Sequence, residues 1–305
     1  MLTPHRLRLL TLDPHDHPRA QPHLSSASGL VRAGRHLYIV ADDEHHLAQL
    51  DADDPANAPL RLLRLAPGTL PDDAGLRKRA KPDLEVLVHF PPAREGETSL
   101  LVAWGSGSRQ QRERAFILQL DAHGAPAQAA REVSTARLYA PLRERFGELN
   151  LEAGFVAQRR LHLFQRANAG QHLNGHVVFD AHAVRAWLLA AADIEPPQPL
   201  AIEVLALGSV DGVPLGITDA AVWPAGGWVF SAVAEDTADA YRDGPCIASV
   251  LGWGDAVGQV RRCERLAGAP KVEGVAPAGG DRLWLVTDAD DPLRPSELLE
   301  VRGGG

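Results

Sequence analysis

Short runs of dense or alternating apolar residues recur along the whole chain, and polar turns rich in Gly, Pro, Asp and Asn separate them. That pattern predicts β-strands rather than helices. Five of the runs open on the same short phrase, a carboxylate or hydroxyl followed by small and apolar residues. The copies read Ser28-Gly29-Leu30-Val31, Glu85-Val86-Leu87-Val88, Glu152-Ala153-Gly154-Phe155, Asp219-Ala220-Ala221-Val222 and Glu273-Gly274-Val275-Ala276. Two further runs follow each phrase: 36–41 and 47–50, 99–104 and 115–120, 160–164 and 176–180, 228–233 and 246–251, 282–286 and 297–301. One run also precedes each unit, at 6–12, 61–65, 131–134, 202–207 and 260–266.

Strand units repeating at roughly 40–50 residues are the signature of propeller blades. The chain therefore reads as all-β, a single domain over residues 1–305 folded as a five-bladed β-propeller. The last unit lacks an outer strand and the first run lacks a partner. Closure by the N-terminal strand on the outer edge of the last blade resolves both and removes a free sheet edge. A sixth blade built from the longer inserts is the alternative. Residues 139–146 and 183–192 read as short inserted helices, the second ended by Pro196-Pro197. The charged segment 72–81 reads as a loop.

Composition narrows the partners. A hydrophobic content of 45% suits a globular core. The net charge of −8 excludes nucleic acid, whose phosphates call for clustered Lys and Arg. Small ligands, metals and other proteins remain. Cys246 and Cys263 are too few for a disulfide framework and read as reduced thiols. The first residues lack a signal peptide's apolar stretch, and no run is long enough to span a membrane. A cytoplasmic protein is expected.

In a propeller the inner strands line a central channel, so Ser28, Glu85, Glu152, Asp219 and Glu273 should surround one axis. Four converging carboxylates repel one another unless neutralised. Calcium is the expected cofactor, because a hard divalent cation takes about six to eight oxygen ligands in irregular cages. No recurrent His or Cys favours zinc. Thr218 competes with Asp219 for the fourth slot. The plainer reading is that these side chains cap backbone amides or bind water.

Strand direction brings the start of each first strand and the end of each second strand to one face. That mouth collects Asp42, Asp43 and Glu44; Lys81, Asp83 and residues 104–106; Asn150, Gln165, Arg166 and Asn168; Glu235 and Asp236; and Lys271, Asp288, Asp290 and Asp291. Arg109 and Arg112 could swing over it from a long loop. The set Lys81, Arg109, Arg112, Asn150, Arg166, Lys271 and Asp290 suits a small anionic ligand, with Asp43, Glu235 or Asp288 as a general base for water. Asp and Asn at strand ends also simply make tight turns. The tryptophans fall mostly in strands and read as inter-blade core.

The phrases Asn150-Leu151-Glu152-Ala153-Gly154, Lys271-Val272-Glu273-Gly274-Val275 and Thr287-Asp288-Ala289-Asp290-Asp291 resemble blade motifs of the phytase-like (esterase-like) bacterial propellers. The inner-strand series Ser28, Glu85, Glu152 and Glu273 is also similar to the central calcium site of the five-bladed calcium-activated nucleotidases (apyrases). That pattern has Ser in the fourth slot, where this chain has Thr218-Asp219. The resemblance implies a central calcium and hydrolysis of a phosphoester or other ester. It carries over no catalytic or base-binding residue, and shared fold does not imply activity. The alternative is a non-catalytic binding or scaffold propeller whose metal is structural, with a protein partner allowed.

Overall fold

The computed structural model describes every residue except 93, 95, 168–172, 192–193, 236–245, 257 and 304–305. Asn168, Asp236 and the end of the second expected helix at residue 192 lie outside the described residues.

The strand β1 (His5–Leu9) comes first in the chain. The first blade follows as β2 (Ala27–Ala33), β3 (His36–Ala41), β4 (His46–Asp51) and β5 (Arg61–Arg64). A helix α1 (Ala74–Ala80) leads into β6 (Leu84–Phe90), β7 (Ser99–Gly105), β8 (Arg114–Leu120) and β9 (Arg131–Ser134). The helix α2 (Ala136–Phe146) precedes β10 (Leu151–Ala157), β11 (Arg160–Gln165) and β12 (Asn174–Asp180), after which come α3 (Ala181–Leu189) and β13 (Ala201–Leu205). The fourth blade is β14 (Ser209–Val210), β15 (Val213–Val222), β16 (Trp228–Glu235), β17 (Cys246–Gly254) and β18 (Val260–Arg265). The fifth is β19 (Val272–Gly279), β20 (Arg282–Thr287) and β21 (Glu297–Arg302), completed by β1 on the outside of β21. Five blades closed by the N-terminal strand are therefore observed, all pairings within them antiparallel.

The inner strands pack on one another around the ring, β2 on β6, β6 on β10, β10 on β15, β15 on β19 and β19 on β2. Five apolar clusters fill the joints. One lies between β1, the first blade and the fifth, with Leu10, Leu24 and Trp284; another between the second and third blades, with Trp104 and Phe179. The remaining clusters lie between the other neighbouring pairs, with Phe116, Trp228 and Trp253 among their aromatic residues. Most of the tryptophans are thus inter-blade core.

Three departures from the sequence reading have local causes. Residues 72–81 are not all loop, because Asp73 caps α1 by accepting from the Leu76 amide at 2.7 Å. The helix expected at 183–192 starts at Ala181, where Asp180 caps it, and ends at Leu189, well before Pro196. The β14–β15 hairpin turns on Asp211-Gly212, both with positive φ, the conformation that two-residue hairpin turns require. Cys246 and Cys263 are free thiols. Among the described residues no helix is long and apolar enough to cross a membrane.

Candidate functional site

Each inner strand breaks register against its neighbour at an equivalent point: between Ala27 and Gly29, Leu84 and Val86, Leu151 and Ala153, Ile217 and Asp219, and Val272 and Gly274. The residues passed over are Ser28, Glu85, Glu152, Thr218 and Glu273. A bulge re-aims the extra side chain and adds local twist, so the fold marks the five equivalent positions by backbone geometry. The fourth is Thr218, not Asp219. Its hydroxyl lies 2.8 Å from both the Val272 carbonyl and Ser231 Oγ, an inter-blade bond rather than a ligand position.

Asp219 has a different task. Its Oδ2 accepts from the amides of Val275 at 2.8 Å and Leu30 at 3.3 Å, on two other blades, and Oδ1 accepts from its neighbour Ala220 at 2.8 Å. Ser28 Oγ donates to the Ser26 carbonyl at 3.0 Å.

The acidic mouth is assembled as strand direction requires, because β3, β7, β11, β16 and β20 end where their inner strands begin. On one side Arg166 and Lys271 form its centre. Arg166 Nη2 meets Glu235 at 2.6 Å, while Nη1 lies 3.5 Å from Glu152 Oε2 and 3.7 Å from Glu273 Oε2. Lys271 Nζ lies 2.5 Å from Asp290, 3.0 Å from Glu235 and 3.5 Å from Glu273. Asn150 donates to Glu152 Oε1 at 2.5 Å, and Gln165 Oε1 accepts from the Asn150 amide at 2.6 Å.

On the other side Lys81 bridges Asp42 and Asp83, the latter at 2.9 Å. Asp83 also accepts from Ser106 at 2.5 Å and from Arg112 at 2.6 Å. Arg112 is buried and additionally bonds Ser108 at 2.7 Å, so it anchors its loop, while Arg109 is exposed on that loop. Sequence reasoning missed three contributors. His17 and Arg19, between β1 and β2, pair with Glu44, and Arg77 of α1 meets Asp43 at 3.1 Å. Only tertiary packing brings these segments to the mouth; their only local signal was charge.

Burial dominates the electrostatics. It pushes Glu152 up to about 8, with Arg166 opposing and Glu273 adding to the rise. Glu273 rises to about 7 for the same first reason, against Arg166 and Lys271. Asp288 rises to about 8 through burial, with Lys271 opposing, and Asp43 to about 6 through burial and then Asp42 and Glu44. Glu85 is pushed well above the usual carboxylate range by burial, Glu152 and Asp42. Asp83 goes the other way: burial opposes its charge, but Lys81 and Arg112 hold it below its ordinary value.

Calcium requires several oxygens turned to one point. As arranged, the five sequence-predicted ligands do not fit such a cage. Ser28 and Asp219 are committed to backbone partners, and Arg166 stands over Glu152 and Glu273. Oxygens of three carboxylates do converge elsewhere, at Asp42, Asp83 and Glu85, within 4.8 Å of one another and beside Lys81. Of the base candidates, Glu235 is the shared counter-ion of Arg166 and Lys271, whereas Asp43 and Asp288 carry the raised values above.

A closed five-bladed propeller with an acidic, cation-laced mouth is thus the class of molecule. The chain belongs to the family of unknown function DUF6929, which matches residues 23–302. No curated protein matches the sequence. Among solved structures the fold is similar to that of a glycoside hydrolase candidate from Parabacteroides distasonis, with 9% identity, 100% of this chain and 97% of that one covered, and a TM-score of 0.53. It is similar too to an alpha-L-arabinofuranosidase from Podospora anserina solved with cellotriose, at 11% identity, 99% and 96% coverage and a TM-score of 0.52. A glutaminyl cyclase from Myxococcus xanthus matches at 12% identity, 99% and 96% coverage and a TM-score of 0.48. At such identities what the first two share with this chain is the propeller fold. The expected likeness to phytase-like propellers and to calcium-activated nucleotidases is not shown by these comparisons.

Proposed function

We propose that the protein is a small-molecule hydrolase whose active site is the funnel mouth, with the buried carboxyls Glu152 and Glu273 as its acid–base pair. One observation carries the reading. The two carboxyls flank a single guanidinium nitrogen of Arg166, and burial holds both close to neutrality, at about 8 and about 7. General acid–base groups work best with values near the operating pH. Because the two sites interact, the pair shares one proton over this range rather than titrating as separate residues. One member protonates the departing oxygen while the other takes a proton from the attacking water. Asp288 is the reserve base.

The charge pattern speaks to the substrate. Lys81, Arg112, Arg166 and Lys271 are each already paired with carboxylates. Of the phosphoester or other ester that the resemblance implies, a neutral carboxylic ester, or a hydroxyl-bearing glycoside, suits this lining better than a phosphoester. A panel of nitrophenyl glycosides, carboxylic esters and phosphate monoesters, run on wild type, Glu152→Gln and Glu273→Gln, tests the proposal. Turnover of a neutral substrate with a bell-shaped pH profile, and a loss of about 10²–10⁴-fold in each variant, is expected. Wild-type rates in both variants, or no turnover across the panel, would leave a binding or scaffold propeller.

A second reading keeps calcium as a structural ion, at the Asp42, Asp83 and Glu85 corner rather than in the five-residue ring. The convergence of three carboxylates within 4.8 Å favours it. The ion would compete there with Lys81. Elemental analysis, with melting curves before and after chelation, decides: bound calcium and a lowered midpoint support it, and neither appearing removes it.

A further inference from the structure

On the face away from the acidic mouth, the inner strands β6 and β10 end at Phe90 and Ala157. Five residues of strand separate Ala157 from Glu152, about 16 Å along the channel wall. A cleft of about 350 Å³ opens between these strand ends and the first turn of α3. Its basic side chains are Arg94, Arg159, Arg185 and His182, and among the described residues it is lined by no Asp or Glu. In a chain of net charge −8 this is a local reversal of sign.

Arg185 gives the cleft more than a diffuse positive potential. It is 6% exposed, its Nη2 donates to the Thr98 carbonyl at 2.5 Å, and its Nε lies 3.5 Å from Glu97. Nη1 is buried and has no hydrogen-bond partner among the described residues. Buried guanidinium hydrogens are normally satisfied, since leaving them unpaired forfeits solvation with no return. The β10–β11 turn adds a second feature. Gln158 and Arg159 both hold positive φ, +47° and +64°, where Asn and Gly are the usual occupants. The turn thereby presents a cation and an amide beside Arg185. Phe90, Pro91, Pro92 and Val156 supply an apolar wall. The nearby acid Asp180 is already engaged, capping α3 and facing Arg160 at 3.5 Å.

We propose that this cleft binds a small organic anion, its carboxylate or phosphate head on Arg185 Nη1 with Arg94 and Arg159, and its apolar body on the Phe90–Pro91–Pro92 wall. Arginine's planar fork suits either head, and a concave site with few convergent polar groups is the usual form of a ligand pocket. This site is independent of the funnel chemistry and stands if that chemistry fails.

Calorimetric titration of the full chain with phenyl phosphate, benzoate and benzyl alcohol tests it. Saturable binding of at least one anion is expected, with benzyl alcohol about tenfold weaker or more. The tighter anion identifies the preferred head. The double variant Arg94→Ser, Arg159→Asn replaces exposed residues, and Asn tolerates positive φ. It should weaken the anion about tenfold at an unchanged melting midpoint. Arg185→Met should weaken it at least as far. Equal binding of benzyl alcohol, or anion binding untouched in the double variant, would overturn the proposal.

Discussion

Asp219 joins three blades with one carboxylate, and that role follows from its position one residue past a bulge. The bulge turns Thr218 toward Val272 and lets Asp219 reach the amides of Leu30 and Val275. Replacing Asp219 with Ala leaves those buried amides without an acceptor, at roughly 1–3 kcal/mol each. Asp219→Ala should therefore lose about 2–5 kcal/mol in urea denaturation, and Asp219→Asn, which keeps one acceptor oxygen, distinctly less. The raised carboxyls make a separate prediction. Glu152 and Asp288 near 8, and Glu273 near 7, stay protonated in the folded chain at pH values where the unfolded chain, titrating near 4, has already ionised. Between about pH 4.5 and 8 the folded state thus holds more protons, so these groups make stability fall as pH rises. Melting midpoints measured across that window should decline toward pH 8, and Glu152→Gln should flatten the decline. A midpoint that rises steadily from pH 5 to 8 in wild type would contradict the assignment.

At the scale of elements, the glycine after the channel side chain in the first and fifth blades lets neighbouring inner strands approach closely. A Cβ on Gly274 would come within 2.5 Å of Val286 Cγ2 and 3.0 Å of Leu30 Cβ on the neighbouring inner strand. Gly29 meets the Glu85 carbonyl in the same manner, at 3.0 Å. Gly274→Ala should cost about 1–3 kcal/mol by overpacking the β19–β2 joint, read as a lower urea midpoint at unchanged slope. The inner strands were legible because the bulge that re-aims the channel side chain and the packing between blades both act on one short phrase, repeated five times. The outer strands were legible from apolar periodicity alone. What escaped was what periodicity does not encode. Helix α1, with Arg77, Lys78 and Arg79 in its last turn, has no apolar stripe, and its cap Asp73 resembles any loop acid. The choice between Thr218 and Asp219 depends on a one-residue bulge, which shifts the face of every side chain beyond it. Strand direction gathers the described residues that pair around Arg166, Lys271 and Lys81, whereas His17, Arg19 and Arg77 come from connections that no strand rule positions.

The whole molecule depends on how the ring is sealed. β1 pairs with β21, from His5 opposite Glu300 to Leu9 opposite Glu297, and completes the fifth blade. Beyond it Leu10 is fully buried, donates from its amide to Ser296 at 2.8 Å and accepts from Leu24 at 2.9 Å. Leu2 extends the seal to the fourth blade, donating to the Arg265 carbonyl and accepting from Ala267, both at 2.8 Å. One terminal segment therefore joins the last two blades and, through Leu24, the first. In an open array each lost contact would weaken one neighbour only; in a closed ring the acidic mouth keeps its shape because no blade can rotate away. Deleting residues 1–10 should accordingly lower the melting midpoint by on the order of 10 °C, expose the β21 edge to intermolecular pairing, and disperse the carboxyls around Arg166. The last effect has its own readout: the pH dependence of the midpoint should flatten in the deletion, as is expected for Glu152→Gln. If the truncated chain melts as wild type does and keeps that pH dependence, the N-terminal strand is an appendage and the ring is held by its inner strands alone.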